Sequence, residues 1–86
     1  MTAFDADIFQ DLTIGQRIMY LRKFRGFNKR QQFVDEVKHV SYSYIWEIEN
    51  GSKTTIPDEI LEKIAQVLQV PVELLKNKKG NIEGIN

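Results

Sequence analysis

Residues 41–51, SYSYIWEIENG, decide how this chain is read. Ser41 is a residue type that caps a helix by accepting from a first-turn N–H. Gly51 stands where a left-handed residue closes a helix. Between them, Ile45 and Ile48 define one face at about 100° per residue. Tyr42 stands at the helix start, and Ser43, Trp46 and Glu47 point the other way. The outward face is therefore aromatic and acidic, and the stretch holds no Lys or Arg. A Trp at such a position marks a contact site.

Working outward, the same punctuation recurs. Asn28 with Gln31 signals a cap before KRQQFVDEV (29–37), whose inner face is Phe33, Val34 and Val37. The segment KHV (38–40) is then a short turn. Upstream, Thr13 with Gln16 makes a capping-box pattern before IGQRIMYLRKFR (14–25), and Gly26 ends that run. Its Ile14, Ile18 and Leu21 step by helical intervals. Downstream, SKTTI (52–56) is a loop and Pro57 suits a first helical turn. Ile60, Leu61, Ile64, Ala65 and Leu68 then form one apolar stripe. Asp58, Glu59 and Glu62 place favourable charge at the start of that helix. Pro71 interrupts, and VELLKN (72–77) reads as a short fifth helix. The expected fold is all-α, a compact bundle of five short helices.

Residues 13–76 make up the expected folded domain, and the polar tail 77–86 should fray. The extension 1–12 carries Phe4, Ile8 and Leu12 at helical spacing, with Phe9 beside them, so an extra N-terminal helix is one reading. Such a helix either covers Met19, Tyr20 or Phe24 or meets a partner.

Composition narrows the function. A domain of 86 residues buries only about 60% of its unfolded surface. With no Cys and one His, neither a disulfide nor a metal site is expected to staple it. No apolar run approaches the roughly 18 residues of a membrane span. Three Asp and no base in MTAFDADIFQDL (1–12) are the wrong charge for a signal peptide. The expected setting is the cytoplasm. There is no Gly-rich phosphate loop, no Cys nucleophile and no Ser/His/Asp arrangement of believable geometry, so catalytic residues and a cofactor are not expected. The net charge is zero but uneven. Residues 17–38 hold seven bases and two acids, a balance of +5, and residues 41–62 one base and five acids, a balance of −4. The basic segment is either a solvated face or a binding footprint.

Taken together, IGQRIMYLRKFRGF (14–27), VSYSYIWEIENGSKT (40–54) and ILEKIAQVLQVPVELL (60–75) resemble the Cro/repressor-type (XRE) helix-turn-helix domains. The resemblance spans about residues 14–75. It implies a lambda-repressor-like bundle in which the second helix lies over the DNA backbone and the third enters the major groove. It also implies a transcriptional regulator of double-stranded DNA, a repressor acting as a homodimer on a two-fold operator.

On this resemblance Arg22 and Glu49 fall on a structural ion pair, for which a guanidinium offers bidentate geometry. Tyr42, Ser43, Trp46 and Glu47 become the base readers: Glu can accept from a cytosine amino group, Ser can bond several base edges, and rings can pack on a thymine methyl. Phosphate contacts are expected from Lys29, Arg30, Gln31 and Gln32 in the first turn of the second helix, from Asn50, Lys53 and Thr54 after the third, and from Arg17 in the first. One of Gln31 and Gln32 takes the place of the family's phosphate-binding Gln.

The chain departs from the pattern in two places. Gly26 to Gly51 is about two residues longer than is usual in the family, one of them falling in the KHV turn, and Val34 stands where the family favours Ala. These changes bear on the tilt of the third helix. The zero net charge and Trp46 support a second reading, a protein-interaction module on the same scaffold, such as an antitoxin or anti-repressor partner. Val72, Leu75, Ile82 and the N-terminal segment are the candidate dimer surface. With no ligand-sensing domain expected after residue 76, control is expected through abundance, a partner or proteolysis.

Overall fold

Thr13 starts the first helix as its sequence suggests. Its hydroxyl accepts from the Gln16 N–H at 3.1 Å, while the Gln16 side chain accepts from the Thr13 N–H at 2.9 Å. The computed structural model describes residues 11–76. Over these residues the chain forms α1 (Ile14–Phe24), α2 (Arg30–Val37), α3 (Tyr42–Glu49), α4 (Asp58–Leu68) and α5 (Val72–Lys76). No strand occurs among the described residues, and none of their helices is long and apolar enough to cross a membrane. The segments 1–10 and 77–86, and with them the extra N-terminal helix, the frayed tail and Ile82, lie outside the described residues.

Helix α2 begins later than the Asn28 signal suggests. Lys29 occupies the N-cap in extended backbone, and Gln32 Oε1 accepts from the Lys29 N–H at 3.2 Å. A lysine side chain has no acceptor, so only the glutamine half of a capping box forms. Asn28 instead offers its backbone carbonyl to Arg22 Nη1 at 3.2 Å. Helix α3 starts at Ser41, whose Oγ accepts from the Tyr44 N–H at 3.0 Å. It stops at Gly51, whose φ of 89° suits a residue without Cβ.

The turn between α2 and α3 has two consecutive non-glycine residues at positive φ: Lys38 at 63° and His39 at 51°. Lys38 also has ψ −177°, a region occupied almost only by glycine. Such residues cost about 1–3 kcal/mol each. Replacing Lys38 with Gly is therefore expected to raise stability by about 1 kcal/mol, after the greater entropy of glycine in the unfolded chain is offset. Urea unfolding would check this; a loss of stability would mean the turn is not strained.

The core draws on every helix. It holds Ile18 and Leu21 from α1, Phe33, Val34 and Val37 from α2, Ile45 and Ile48 from α3, Leu61, Ile64, Ala65 and Leu68 from α4, and Leu75 from α5, with Ile56 from the loop before α4. Phe27 adds an edge-on contact to Phe33 at 5.6 Å between centroids. Leu75 is 0% exposed, so it belongs to the interior and not to a dimer surface. Val72 is half-buried and packs against the same core.

Arginines of α1 and of its C-terminal cap tie the bundle together without cysteine. Arg17 Nε donates to the Leu12 carbonyl at 3.1 Å and its Nη1 to the Leu74 carbonyl at 2.7 Å, joining α1 to α5. Arg25 donates to the Leu68 and Gln69 carbonyls at 2.7 and 3.2 Å. These carbonyls lie at the C-terminus of α4, where cations are favoured.

Candidate nucleic-acid interface

Helix α3 is held to its neighbours at its last residue. Glu49 is buried, and its two oxygens are shared between two guanidinium groups. Arg22 Nε donates to Oε2 at 2.7 Å and Nη2 to Oε1 at 3.2 Å; Arg30 Nε donates to Oε1 at 2.8 Å. Arg22 comes from α1 and Arg30 from α2, so one carboxylate joins three helices. Arg22 Nη1 also donates to the Phe27 carbonyl at 2.7 Å. Burying this charge is tolerated because each Glu49 oxygen receives charge-assisted bonds.

Arg30 carries the network to the surface. Its Nη1 donates to the Tyr42 hydroxyl at 2.8 Å, and its guanidinium lies 5.4 Å from the Tyr42 ring centre. The Glu49 side chain, through its hydrogen bond, is the main cause holding the Arg30 pKa above its ordinary value. Tyr42, at the start of α3, is thus anchored through the same guanidinium that grips the helix end.

A glycine lets α3 approach this closely. Gly15 lies in the first turn of α1 against the end of α3. A Cβ there would run into the Ile48 carbonyl oxygen and would lie 2.9 Å from the Ile48 carbonyl carbon and 3.2 Å from Glu49 Cα. Sequence reading passed over Gly15, because its reason is space for a distant segment rather than an unusual φ.

The outward residues of α3 emerge as the helical wheel suggests. Tyr42 is 43% exposed and Trp46 47%, and Ser43 is exposed beside them. Glu47 is half-exposed and faces Lys53 Nζ at 3.8 Å. Lys53 also lies 5.2 Å from the Tyr44 ring centre, so its charge sits at the C-terminal flank of α3.

Several residues expected at phosphate are committed to internal bonds. Arg17 is 2% exposed and bonded to carbonyl groups, a position from which it reaches no phosphate; burial lowers its pKa from the ordinary value. Arg30 is only partly exposed and is committed to Glu49 and Tyr42. Gln31 donates to Asp35 Oδ1 at 2.8 Å, and Gln32 closes the start of α2. Asn50 uses its side-chain oxygen to accept from the Ser52 N–H at 2.8 Å. Lys29 and Thr54 are exposed, at the start of α2 and in the loop after α3. The basic segment is consequently less positive at the surface than its formal charge suggests. Arg17, Arg22 and Arg30 spend donors internally, while Lys23, Arg25, Lys29 and Lys38 are exposed. Among the described residues no group of three or more His, Cys, Asp or Glu is placed to hold a metal ion.

Helices α2 and α3 with the turn between them define a helix-turn-helix domain. The chain belongs to the helix-turn-helix family of the Cro/repressor (XRE) type, since the family model described as Helix-turn-helix matches residues 18–75. The chain is similar to the HTH-type transcriptional regulator SinR of Bacillus licheniformis, at 37% identity over 70 residues, covering 81% of this chain and 61% of that protein. It is also similar to the HTH-type transcriptional regulator SinR of Bacillus subtilis (strain 168), at 36% identity over 70 residues with the same coverage, 81% and 61%. The chain thus spans about 61% of the length of these curated relatives. No solved structure gives a significant match. Both relatives are transcriptional regulators by name.

Proposed function

We propose that this protein is a cytoplasmic, sequence-specific regulator of transcription, a repressor that binds double-stranded DNA as a homodimer on a two-fold operator. The observation that carries the reading is α3 itself: a helix fixed at its end by the Arg22–Glu49–Arg30 network, with Tyr42, Ser43, Trp46 and Glu47 on its accessible side. In this reading the start of α2 lies on the backbone, with Lys29 and the first N–H groups of the helix toward phosphate. Helix α3 enters the major groove, and Lys53 and Thr54 meet the backbone beyond it.

Selection of bound duplexes from a random DNA library at about 100 mM salt tests this directly. The expected result is an inverted repeat with half-sites roughly one helical turn apart. Failure of a folded protein to enrich any duplex would refute the proposal. Within it, Lys29→Ala is expected to weaken binding to all sequences similarly and to lower the salt slope by about one per subunit. A loss confined to one base position would remove Lys29 from the backbone contact. Arg30→Ala is a poorer probe of phosphate binding, because it also releases Glu49 and Tyr42.

The second reading, a protein-interaction module, is favoured by the exposure of Trp46 on a helix without a basic residue. Trp46 is the single Trp, so its fluorescence separates the two readings. A blue shift with a protein partner and no change with DNA would favour the module.

A further inference from the structure

Every group that α3 can offer to a base edge is uncharged or acidic. Its described outward side presents the indole of Trp46, the phenol of Tyr42, the Ser43 hydroxyl and the Glu47 carboxylate. The guanidinium that reaches the start of α3, that of Arg30, is directed to Glu49 Oε1 and the Tyr42 hydroxyl. At the other end the ammonium of Lys53 faces Glu47 and the Tyr44 ring. The commonest specific contact in the major groove, Arg or Lys on the O6 and N7 atoms of guanine, is therefore not available from this helix. What the helix does present is apolar area. Tyr42 and Trp46 are one helical turn apart, so their rings lie on the same face. The Tyr42 ring is held in place by Arg30 through a hydrogen bond of 2.8 Å and by its guanidinium 5.4 Å from the ring centre, so that side chain is ordered before any ligand arrives.

The apolar feature of a major-groove base edge is the C5-methyl group of thymine. We infer that Trp46, backed by the anchored Tyr42, is a specificity-determining residue that selects thymine by packing on its methyl group. Apolar readout supplies the discrimination that a basic reading helix obtains from guanine. Glu47 and Ser43 add hydrogen bonds at neighbouring positions, while exposed lysines outside α3 provide sequence-independent affinity. The inference rests on the DNA-binding reading proposed above and specifies its base preference.

The test uses the full chain and the tightest duplex recovered from the random library. Each thymine is replaced singly by deoxyuridine, which removes the methyl group and leaves the hydrogen-bonding edge unchanged. Fluorescence anisotropy at about 100 mM salt is expected to show about a fourfold loss at one or two thymines per half-site, the equivalent of burying one methyl group at about 0.8 kcal/mol. Trp46→Ala should bind the thymine and deoxyuridine duplexes equally at one of those positions, whereas Trp46→Phe should keep part of the difference. Trp46 is about half exposed and lies outside the core, so both variants should fold, which circular dichroism would verify. If the duplex binds tightly but no deoxyuridine weakens it, or if Trp46→Ala keeps the full methyl effect, thymine selection by Trp46 is wrong while DNA binding stands. If the library yields no duplex at all, the DNA-binding reading fails and this inference falls with it.

Discussion

Gly15→Ala is expected to destabilise the domain by about 3 kcal/mol, the upper end of the cost of overpacking a well-packed site. The sign makes the test decisive. In an open helical position Ala is better than Gly by roughly 0.5–1 kcal/mol, so the same change would ordinarily stabilise. Here the added methyl would run into the Ile48 carbonyl oxygen and lie 2.9 Å from the Ile48 carbonyl carbon. Both atoms are backbone, so no side-chain rotation relieves the contact. Only separation of α1 from α3 can do so, and that separation would strain the bonds between Arg22 and Glu49. In a domain of this size each kcal/mol lowers the melting temperature by roughly 4–8 °C. Thermal and urea unfolding followed by circular dichroism would measure the loss. An unchanged or higher melting temperature would show that α1 and α3 are not in backbone contact at Gly15.

What was legible in the sequence was mostly local. Thr13 and Ser41 begin helices because their hydroxyl groups accept from N–H groups three residues on, a relation the sequence displays directly. Ile45 and Ile48 lie inward, and Tyr42, Ser43 and Trp46 outward, because helical periodicity is local too. The start of α2 was displaced because adjacent Gln31 and Gln32 offer two capping patterns one residue apart. The structure uses Gln32 and sends Gln31 to Asp35. The Arg22–Glu49 pair was reached through resemblance to a family, since nothing in the spacing of the two residues brings them together. Other distant relations were missed. Gly15 has ordinary helical surroundings in sequence, and its need for space comes from Ile48 and Glu49. Arg17 and Arg30 contributed to an apparent basic footprint because formal charge does not reveal which carbonyl or carboxylate groups will meet them. Leu75 looked available to a partner because the short α5 gives little sign of which face the rest of the bundle covers.

Glu49→Ala is expected to cost about 3–5 kcal/mol, as removal of one partner from a buried ion pair leaves the other charge without compensation. The burden falls on Arg22, which is 3% exposed and would retain the Phe27 and Asn28 carbonyls as acceptors. Arg30 should suffer less. Its side chain is 21% exposed, so water can replace the lost carboxylate, and Arg30→Ala should cost about 1 kcal/mol. Urea unfolding of the two variants tests this order; equal losses would mean that the buried Arg22 bond does not dominate. Glu49→Gln separates stability from binding. It keeps the shape and can accept one bond from Arg22, yet it removes a negative charge beneath the face that includes Tyr42 and Trp46. Binding to unrelated DNA should therefore rise, because local charge governs the sequence-independent part. Binding to the selected operator should gain less or fall, because the end of α3 is less firmly fixed. The ratio of the two affinities is the quantity to measure. A drop in that ratio with the fold retained would show that Glu49 maintains selectivity by holding the reading helix in place. An unchanged ratio would confine its role to stability.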